Sequence, residues 1–363
     1  MSGPDAAAGE IGDAVGAIGA TPGEFGDAVA RRPLTGLRRR LRPLKRLAVR
    51  PVAVALGLLL RCSGRRLGTV VVFHRVGEPA GDPARELVPA LSTHLFRRQL
   101  ALLRRRYAIV PAAELLIAAG ARRRFQRFPV ALTFDDDWSG HVRVSLALLA
   151  GAQAPATFFL NGASLDRPCQ LWFDTLQAAY DRGLLAPPGA IHAHAARIQE
   201  LPATQRRAQI EELRRRLRTA GEKTRLDPGL RAEDIRRLAG AGHEIGFHTR
   251  AHETLTTLDD PELERALREG RGELEVAAGT ALTAIAYPAG RADARVVERA
   301  RAAGFSRGYS TMPQAVGQES EPLWLGRVYP WGESPARLHL ALGRALASRR
   351  RGCAPPQAGA ADA

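Results

Sequence analysis

The feature that most constrains the fold is an alternation of short apolar runs and amphipathic helical segments from Leu67 onward. Short continuous apolar runs are typical of strands buried on both faces of a sheet, whereas helices need longer periodic segments. The alternation therefore predicts an α/β fold with parallel strands and outer helices, in an open sheet or a barrel. Strands are expected at 68–73, 107–110, 128–134, 156–160, 244–247 and 284–287.

Helical segments are expected between these runs, and one long segment interrupts the alternation of strands and helices. Residues 171–237 are mostly polar and helical in pattern, so we predict a helical insertion between two core strands. The main domain is placed at 67–332, followed by a C-terminal helix and disordered tail at 333–363. The other helices are expected at 95–106, 112–119, 144–150, 261–278 and 292–303.

Composition favours a globular protein and excludes several classes. The 363 residues are 45% hydrophobic and 25% charged, which is typical of a chain with a buried core. Arginine supplies 51 of the 53 basic residues, so we attribute the net charge of +16 to GC-rich coding bias. Only 6% of residues are aromatic and no nucleic-acid-binding motif occurs, so no nucleic-acid partner is predicted. Three cysteines are too few for a cysteine zinc site, and His and carboxylates must hold any metal.

The N-terminal region changes character twice. Residues 1–30 are rich in Gly, Ala and acids, which predicts a flexible tail and provides no secretory signal. Residues 31–66 form a basic leader whose apolar run, 51–60, is about half as long as a membrane-spanning helix. Two interpretations stay open: residues 31–61 contact anionic lipids peripherally, or a solvated leader docks one apolar helix on the domain. We expect a cytoplasmic protein or one at the cytoplasmic membrane surface.

Three consecutive carboxylates, Asp135, Asp136 and Asp137, directly follow the strand predicted at 128–134. Charges beside a buried strand need a cation or a water-filled cleft, because adjacent carboxylates raise each other's proton affinity. The alternative is an acidic cap on the helix that begins near His141. A cap needs one acid rather than three, so the sequence favours a site.

Two histidines four residues apart, His248 and His252, follow the strand predicted at 244–247. With nine histidines in the chain, about 0.2 such pairs are expected by chance. Imidazoles at this spacing can point to one side and share a metal, whereas the alternative is a pair of surface histidines. A second pair, His192 and His194, has no acid beside it and is expected on the surface.

Two further strand ends carry candidate residues. Ala289 lies in the turn Tyr287–Gly290, where small residues leave backbone N–H groups open toward the cleft. His74 ends the first strand. A lone histidine is more often structural, but this one lies at the same rim as the other candidates.

These motifs resemble those of the polysaccharide deacetylases of carbohydrate esterase family 4, the NodB-homology group. The resemblance covers about Gly68 to Tyr329, and the FHRV start together with LWFD at 171–174 resembles one subgroup. The segments that carry it are VVVFHRV, ALTFDDDW, PATFFL, GHEIGFHTRAHETL and AYPAG.

The resemblance implies a distorted parallel (β/α) barrel of about seven strands around a divalent metal. It implies Asp135 as the general base and Asp136, His248 and His252 as ligands, with Zn²⁺ favoured and Co²⁺, Ni²⁺ or Fe²⁺ also suited. The implied activity is hydrolysis by a metal-bound water of N-acetyl or O-acetyl groups on amino sugars of a polysaccharide, such as an exopolysaccharide, or a glycan precursor.

Further roles in this mechanism are assigned to backbone and histidine groups. The Ala289 N–H is expected to help hold the oxyanion, and His74 is expected to protonate the leaving amine. His339 imitates the family's late Leu-x-His motif only loosely, which makes it the weaker candidate for the acid.

Three positions depart from the family pattern. Asp137 replaces Gly, and would narrow substrate entry or cap the next helix. Ala286 replaces an Arg that orients the base in many members, and Ala289 replaces Tyr or Asn. A catalytically silent carbohydrate-binding relative is the alternative function.

Overall fold

The computed structural model describes residues 42–78, 85–165, 171–185, 191–219, 227–330, 334–348 and 355–357. The predicted tail at 1–30 and the first part of the basic leader lie outside the described residues. So does the tail predicted after the C-terminal helix, apart from 355–357.

Within the described residues, seven strands form one sheet in which every strand pair is parallel, and helices surround it, so the fold is the predicted distorted (β/α) barrel. The strand order is β1-β3-β4-β5-β6-β7, and β2 pairs with the first residues of β3. Buried β-branched and aromatic residues fill these strands, as the apolar runs predict. The strands are β1 Thr69–Phe73, β2 Ala108–Ile109, β3 Pro129–Asp135, β4 Thr157–Leu160, β5 Glu244–Phe247, β6 Ala284–Ala286 and β7 Arg307–Tyr309.

An irregular segment, residues 325–328, lies between β7 and β1. The Leu325 N–H donates to Gly308 on β7, and the Val328 N–H donates to Val70 on β1 at 2.7 Å. We call residues 325–328 the closing segment, because it hydrogen-bonds to both outer strands of the sheet.

The helices mostly match the expected positions. The helix expected at 261–278 is wrong as a single element, because Gly270 adopts a left-handed backbone with φ of 83° and divides it into α9 and α10. The apolar run at 51–60 belongs to a longer helix, α1. The helices are α1 Arg42–Cys62, α2 Thr93–Arg106, α3 Leu115–Ala121, α4 Leu146–Ala152, α5 Trp172–Asp181, α6 Ile191–Glu200, α7 Ala203–Thr219, α8 Ala232–Gly240, α9 Asp260–Ala266, α10 Arg271–Ala278, α11 Ala294–Ala302 and α12 Pro335–Ala347.

The insertion has a hydrophobic core of its own. Trp172, Phe173 and Leu176 of α5 pack with residues of α6 and α7 and with Trp138, which follows β3. This contact places α5 beside the carboxyl end of β3. The expectation that His192 and His194 are surface residues is wrong, because α6 turns both toward the interior.

Candidate metal centre

Asp136, His248 and His252 converge at the carboxyl ends of β3 and β5. All three side chains are buried, and their possible ligand atoms lie within 4.8 Å of one another. Asp136 Oδ1 is 3.9 Å from His248 Nε2 and 3.8 Å from His252 Nε2. This buried oxygen accepts no hydrogen bond from the described part of the chain. A carboxylate oxygen and two imidazole nitrogens at these separations suit one divalent cation.

Left-handed backbone conformations concentrate at this site. Asp136, Thr249, His252 and Ala289 have φ values of 69°, 55°, 49° and 56°. Such conformations are costly for residues other than Gly and cluster where the surrounding structure holds a functional geometry. The backbone therefore turns sharply at the points where the candidate side chains must face one another.

The orientation of His248 is set by β6. Its Nδ1 lies 2.8 Å from the carbonyl oxygen of Ala286. Because a carbonyl oxygen only accepts hydrogen bonds, Nδ1 carries the proton and Nε2 presents its lone pair toward Asp136. Ala286, which stands where the family commonly has Arg, therefore positions His248 through its backbone carbonyl group.

His252 is held by aromatic residues of the insertion. The Trp172 indole N–H lies 3.3 Å from the His252 carbonyl oxygen and 3.4 Å from its Nδ1. The Phe173 ring meets the imidazole edge-on at 5.2 Å. The insertion thus covers one side of the candidate metal centre.

Asp135 is fully buried and forms a two-pronged ion pair with Arg327. Arg327 Nη1 and Nη2 donate to the two carboxylate oxygens, each at 2.7 Å, and its Nε donates to the Ser310 carbonyl oxygen. Burial opposes ionisation of Asp135, but the charge of Arg327 and its hydrogen bonds outweigh burial and hold the pKa of this carboxyl below its usual range.

Arg327 is a site residue that the sequence reasoning missed. It lies in the closing segment and packs within 5.7 Å of the Phe159 ring. Arg327 places a guanidinium on the candidate base, although Ala286 replaces the Arg that orients the base in many members of the family. A single Arg in RVYP at 327–330 gives little sequence signal, because the contact depends on how the barrel closes.

Asp137 holds a loop rather than a helix. It accepts hydrogen bonds from the backbone N–H groups of Asn161, Gly162 and Ser164 and from the Ser164 hydroxyl. The helical turn that follows begins at His141 after Gly140, with no side-chain cap. The acidic-cap interpretation is therefore wrong, and the three consecutive carboxylates have three different surroundings.

Two more positioning residues, Asn161 and His141, were missed. The Asn161 amide donates to the carbonyl oxygens of His248 and Thr249 at 3.1 and 2.8 Å. His141 Nε2 lies 3.2 and 2.9 Å from the carbonyl oxygens of Asp135 and Asp136. Burial lowers the pKa of His141 to about 4, so it donates from Nε2 as a neutral imidazole.

The two candidates for the acid lie at opposite ends of the barrel. β1 and β3 pair in register up to Phe73 and Phe134, which places His74 beside Asp135. The His74 ring is 5.1 Å from that of Tyr329. His339 instead contacts the hydroxyl of Tyr107, the residue before β2, at 2.8 Å, so it lies at the amino end of the sheet and away from Asp135.

A pocket beside Asp136 extends under the insertion. Its lining includes Trp138, Ser164, Phe173 and Asp174. Burial, followed by the charge of Asp136, raises the pKa of Asp174 to about 7, although the Leu171 N–H donates to its carboxylate. The sequence reasoning treated this residue only as part of the motif that begins the insertion.

Buried carboxylates and imidazoles at the carboxyl ends of barrel strands define a barrel protein of the hydrolase type. The chain belongs to the polysaccharide deacetylase family, whose model matches residues 122–308. His74 and Arg327 lie outside the matched range. Members of this family are generally metal-dependent.

Several solved deacetylases share the fold at low sequence identity. Deacetylase PplD from Streptococcus pyogenes, in complex with acetate, is 16% identical with a TM-score of 0.52, covering 76% of this chain and 98% of that one. BC0361, a polysaccharide deacetylase from Bacillus cereus, is 15% identical with a TM-score of 0.50, covering 76% and 69%. A de-N-acetylase from Aggregatibacter actinomycetemcomitans is 14% identical with a TM-score of 0.50, covering 72% and 94%. No curated protein sequence matches the chain.

Proposed function

We propose that this protein is a metal-dependent deacetylase that removes N-acetyl or O-acetyl groups from amino sugars of a polysaccharide or glycan precursor. Family membership supports polysaccharide deacetylase activity in general. The observation that carries the proposal is the buried Asp136–His248–His252 set directly beside an Asp135 that is ion-paired with Arg327.

Asp136, His248 and His252 would hold the cation, and Zn²⁺ is the ion we propose. Co²⁺, Ni²⁺ and Fe²⁺ suit the same ligands. When bound, such a cation polarises a carbonyl oxygen and lowers the pKa of a water molecule. The buried Asp136 oxygen without a hydrogen-bond donor supports this assignment, because an uncompensated carboxylate oxygen in that position is costly.

Asp135 is the proposed general base. Its carboxylate oxygens each accept one bond from Arg327 and retain lone pairs for a water molecule. Arg327 fixes the carboxylate plane and keeps it ionised, so the base is ready to take the proton of the attacking water. The fork geometry of a guanidinium achieves this better than a lysine ammonium group does.

His74 and Ala289 are proposed for the remaining roles. His74 would give a proton to the nitrogen of the departing amine, and its place beside Asp135 supports this. The Ala289 N–H would donate to the developing oxyanion, and the positive φ of Ala289 supports a backbone shaped for contact rather than for regular structure.

The decisive experiment measures acetate release from N-acetylglucosamine oligomers and from a chromogenic acetyl ester. The full chain is assayed as purified, after chelation, and after re-addition of Zn²⁺ or Co²⁺. Asp135→Asn and His248→Ala are assayed in parallel, with His94→Ala as the matched control because His94 is exposed on α2.

We expect activity that is lost on chelation, returns with metal and is absent from both site variants but not from the control. Asp135→Asn should still bind one metal ion per chain, whereas His248→Ala should not. Wild-type protein that binds metal and glycan but releases no acetate from any substrate would instead identify a silent carbohydrate-binding relative.

A further inference from the structure

Between Pro51 and Cys62 the outward face of α1 is apolar, although surface helices normally turn polar side chains to solvent. The inward face packs on α12, where Ala53 and Leu60 are buried and Leu56 lies against Gly343. The opposite face is exposed along the helix and consists of Pro51, Val52, Ala55, Leu58, Leu59 and Cys62.

This exposed stripe contains three large side chains. Val52 is 51% exposed, Leu58 51% and Leu59 71%, and among the described residues these are half of the six large hydrophobic side chains classed as exposed. Their spacing places them on one side of the helix over two turns. An exposed apolar stripe of this kind marks a surface that is covered by something else.

The loop at 122–127 extends the same surface beyond the end of α1. Phe125 is 62% exposed, and its N–H donates to the Arg61 carbonyl oxygen at 2.7 Å. Arg61 in turn donates to the Phe125 carbonyl oxygen at 2.8 Å. The buried guanidinium of Arg122 donates to carbonyl oxygens of Ser63 and Arg65, which fixes the loop on the helix end.

Basic residues flank this surface in the sequence, and residues 31–66, which lead into it, include no acid. Residues 31–66 contain twelve basic residues and no acidic one, and residues 122–127 contain four arginines. The charge therefore complements an anionic partner, while the apolar stripe complements a hydrocarbon boundary. A bilayer with anionic lipids offers both at once.

We propose that Val52, Leu58, Leu59 and Phe125, with their flanking arginines, form a docking surface for a bilayer interface that contains anionic phospholipid. None of the described helices is both long and apolar enough to cross a membrane. The helix lies along the interface with its apolar side chains between the headgroups, and the arginines contact the phosphates.

The docking surface lies away from the candidate metal centre. Phe125 precedes β3, and Asp135 is the last of the seven residues of that strand. The six residue steps of this strand span roughly 20 Å, so the docking surface and the candidate metal centre lie at opposite ends of β3. The proposal is therefore independent of the proposed function, and substitutions in the surface leave the site residues untouched.

Sedimentation of the full chain with vesicles tests the proposal. The vesicles contain phosphatidylcholine alone or with about one third phosphatidylglycerol, in about 0.1 M and 0.5 M salt. The test variants are Leu58→Ser/Leu59→Ser and, separately, Phe125→Ser. Matched controls are Ile117→Ser and Val276→Ser, which replace residues that are 72% and 83% exposed on other helices. Circular dichroism melting of each variant verifies folding.

We expect at least tenfold tighter binding to the anionic vesicles, and weaker binding at the higher salt concentration. Leu58→Ser/Leu59→Ser should weaken binding at least tenfold and Phe125→Ser at least threefold, whereas both controls should bind as the wild type does. Absence of vesicle binding, or an equal loss in the controls, would overturn the proposal. So would a lipid-free wild-type dimer that dissociates in Leu58→Ser/Leu59→Ser, since a second copy would then cover the surface.

Discussion

Replacing Arg327 by Met tests whether the closing segment controls the base. Arg327 and Asp135 are both fully buried, and their two hydrogen bonds of 2.7 Å neutralise the carboxylate on that side. Removing one partner of a buried ion pair costs about 3–5 kcal/mol, because the remaining charge is left uncompensated. We expect a loss of that size in the free energy of unfolding of chelator-treated protein, measured by urea denaturation.

A double-mutant cycle isolates the ion pair from the loss of packing. Asp135→Asn removes the charge that Arg327 neutralises, so adding it to Arg327→Met should recover about 2–3 kcal/mol. The control is Arg307→Met, which breaks a pair with Glu244 at the amino ends of β7 and β5, where the two side chains are 15% and 27% exposed. Solvent reaches this pair, so its loss should cost less than the roughly 3–5 kcal/mol typical of a fully buried pair, and the control should keep its activity.

The same variants make a kinetic prediction. If Arg327 orients the base, Arg327→Met should lower kcat by roughly 10²–10⁴, the range typical of lost general-base catalysis. Arg327→Lys keeps the charge without the two-pronged geometry, so its kcat should lie between those of the wild type and Arg327→Met. Equal losses of stability in Arg327→Met and Arg307→Met, or a coupling energy near zero, would refute the reasoning.

Three further predictions concern the surrounding residues. His74→Ala should slow amide hydrolysis by about 10²-fold and hydrolysis of an activated ester much less, because a good leaving group needs no acid. His339→Ala should leave both rates of acetate release unchanged. Asp137→Gly should lower the free energy of unfolding by about 1–3 kcal/mol in urea denaturation, because four donors lose their acceptor. Burial raises the pKa of Asp174 to about 7, so the free energy of unfolding of chelated wild type, taken relative to that of Asp174→Asn, should fall as the pH rises from about 4 to 7. Melting temperatures of both proteins at about pH 5 and 8 measure this difference.

The sequence identifies those parts of the fold that depend on local pattern. Buried parallel strands appear as unbroken apolar runs, which is why β1, β3 and β5 were placed within a residue or so of their observed bounds. β7 was not predicted, because its three residues include Arg307 and Gly308, which are not typical of a buried strand. It is a strand because it pairs with β6. Gly270 shows the opposite case, in which one left-handed residue overrides a helical pattern on both sides.

The candidate site was predictable only where its residues are neighbours in sequence. Asp135, Asp136, His248 and His252 follow strands, and parallel strands bring their carboxyl ends together. Arg327 and Asn161 act through contacts with residues 192 and 87 positions away, so no local spacing announces them. The same limit applies to His339, the weaker candidate for the acid. The helical pattern around it does not indicate which end of the barrel this histidine faces.

The position of Arg327 also gives the closing of the barrel a chemical consequence. The candidate metal ligands lie on β3 and β5, within a range that is complete by residue 308, whereas the guanidinium for the base arrives with residues 325–328. A molecule in which the closing segment has separated from β1 and β7 would keep its candidate metal ligands but leave the Asp135 carboxylate without its partner. If Asp135 acts as the proposed base, catalysis requires the contacts that join β1 to β7, and a molecule without them would bind metal but release no acetate.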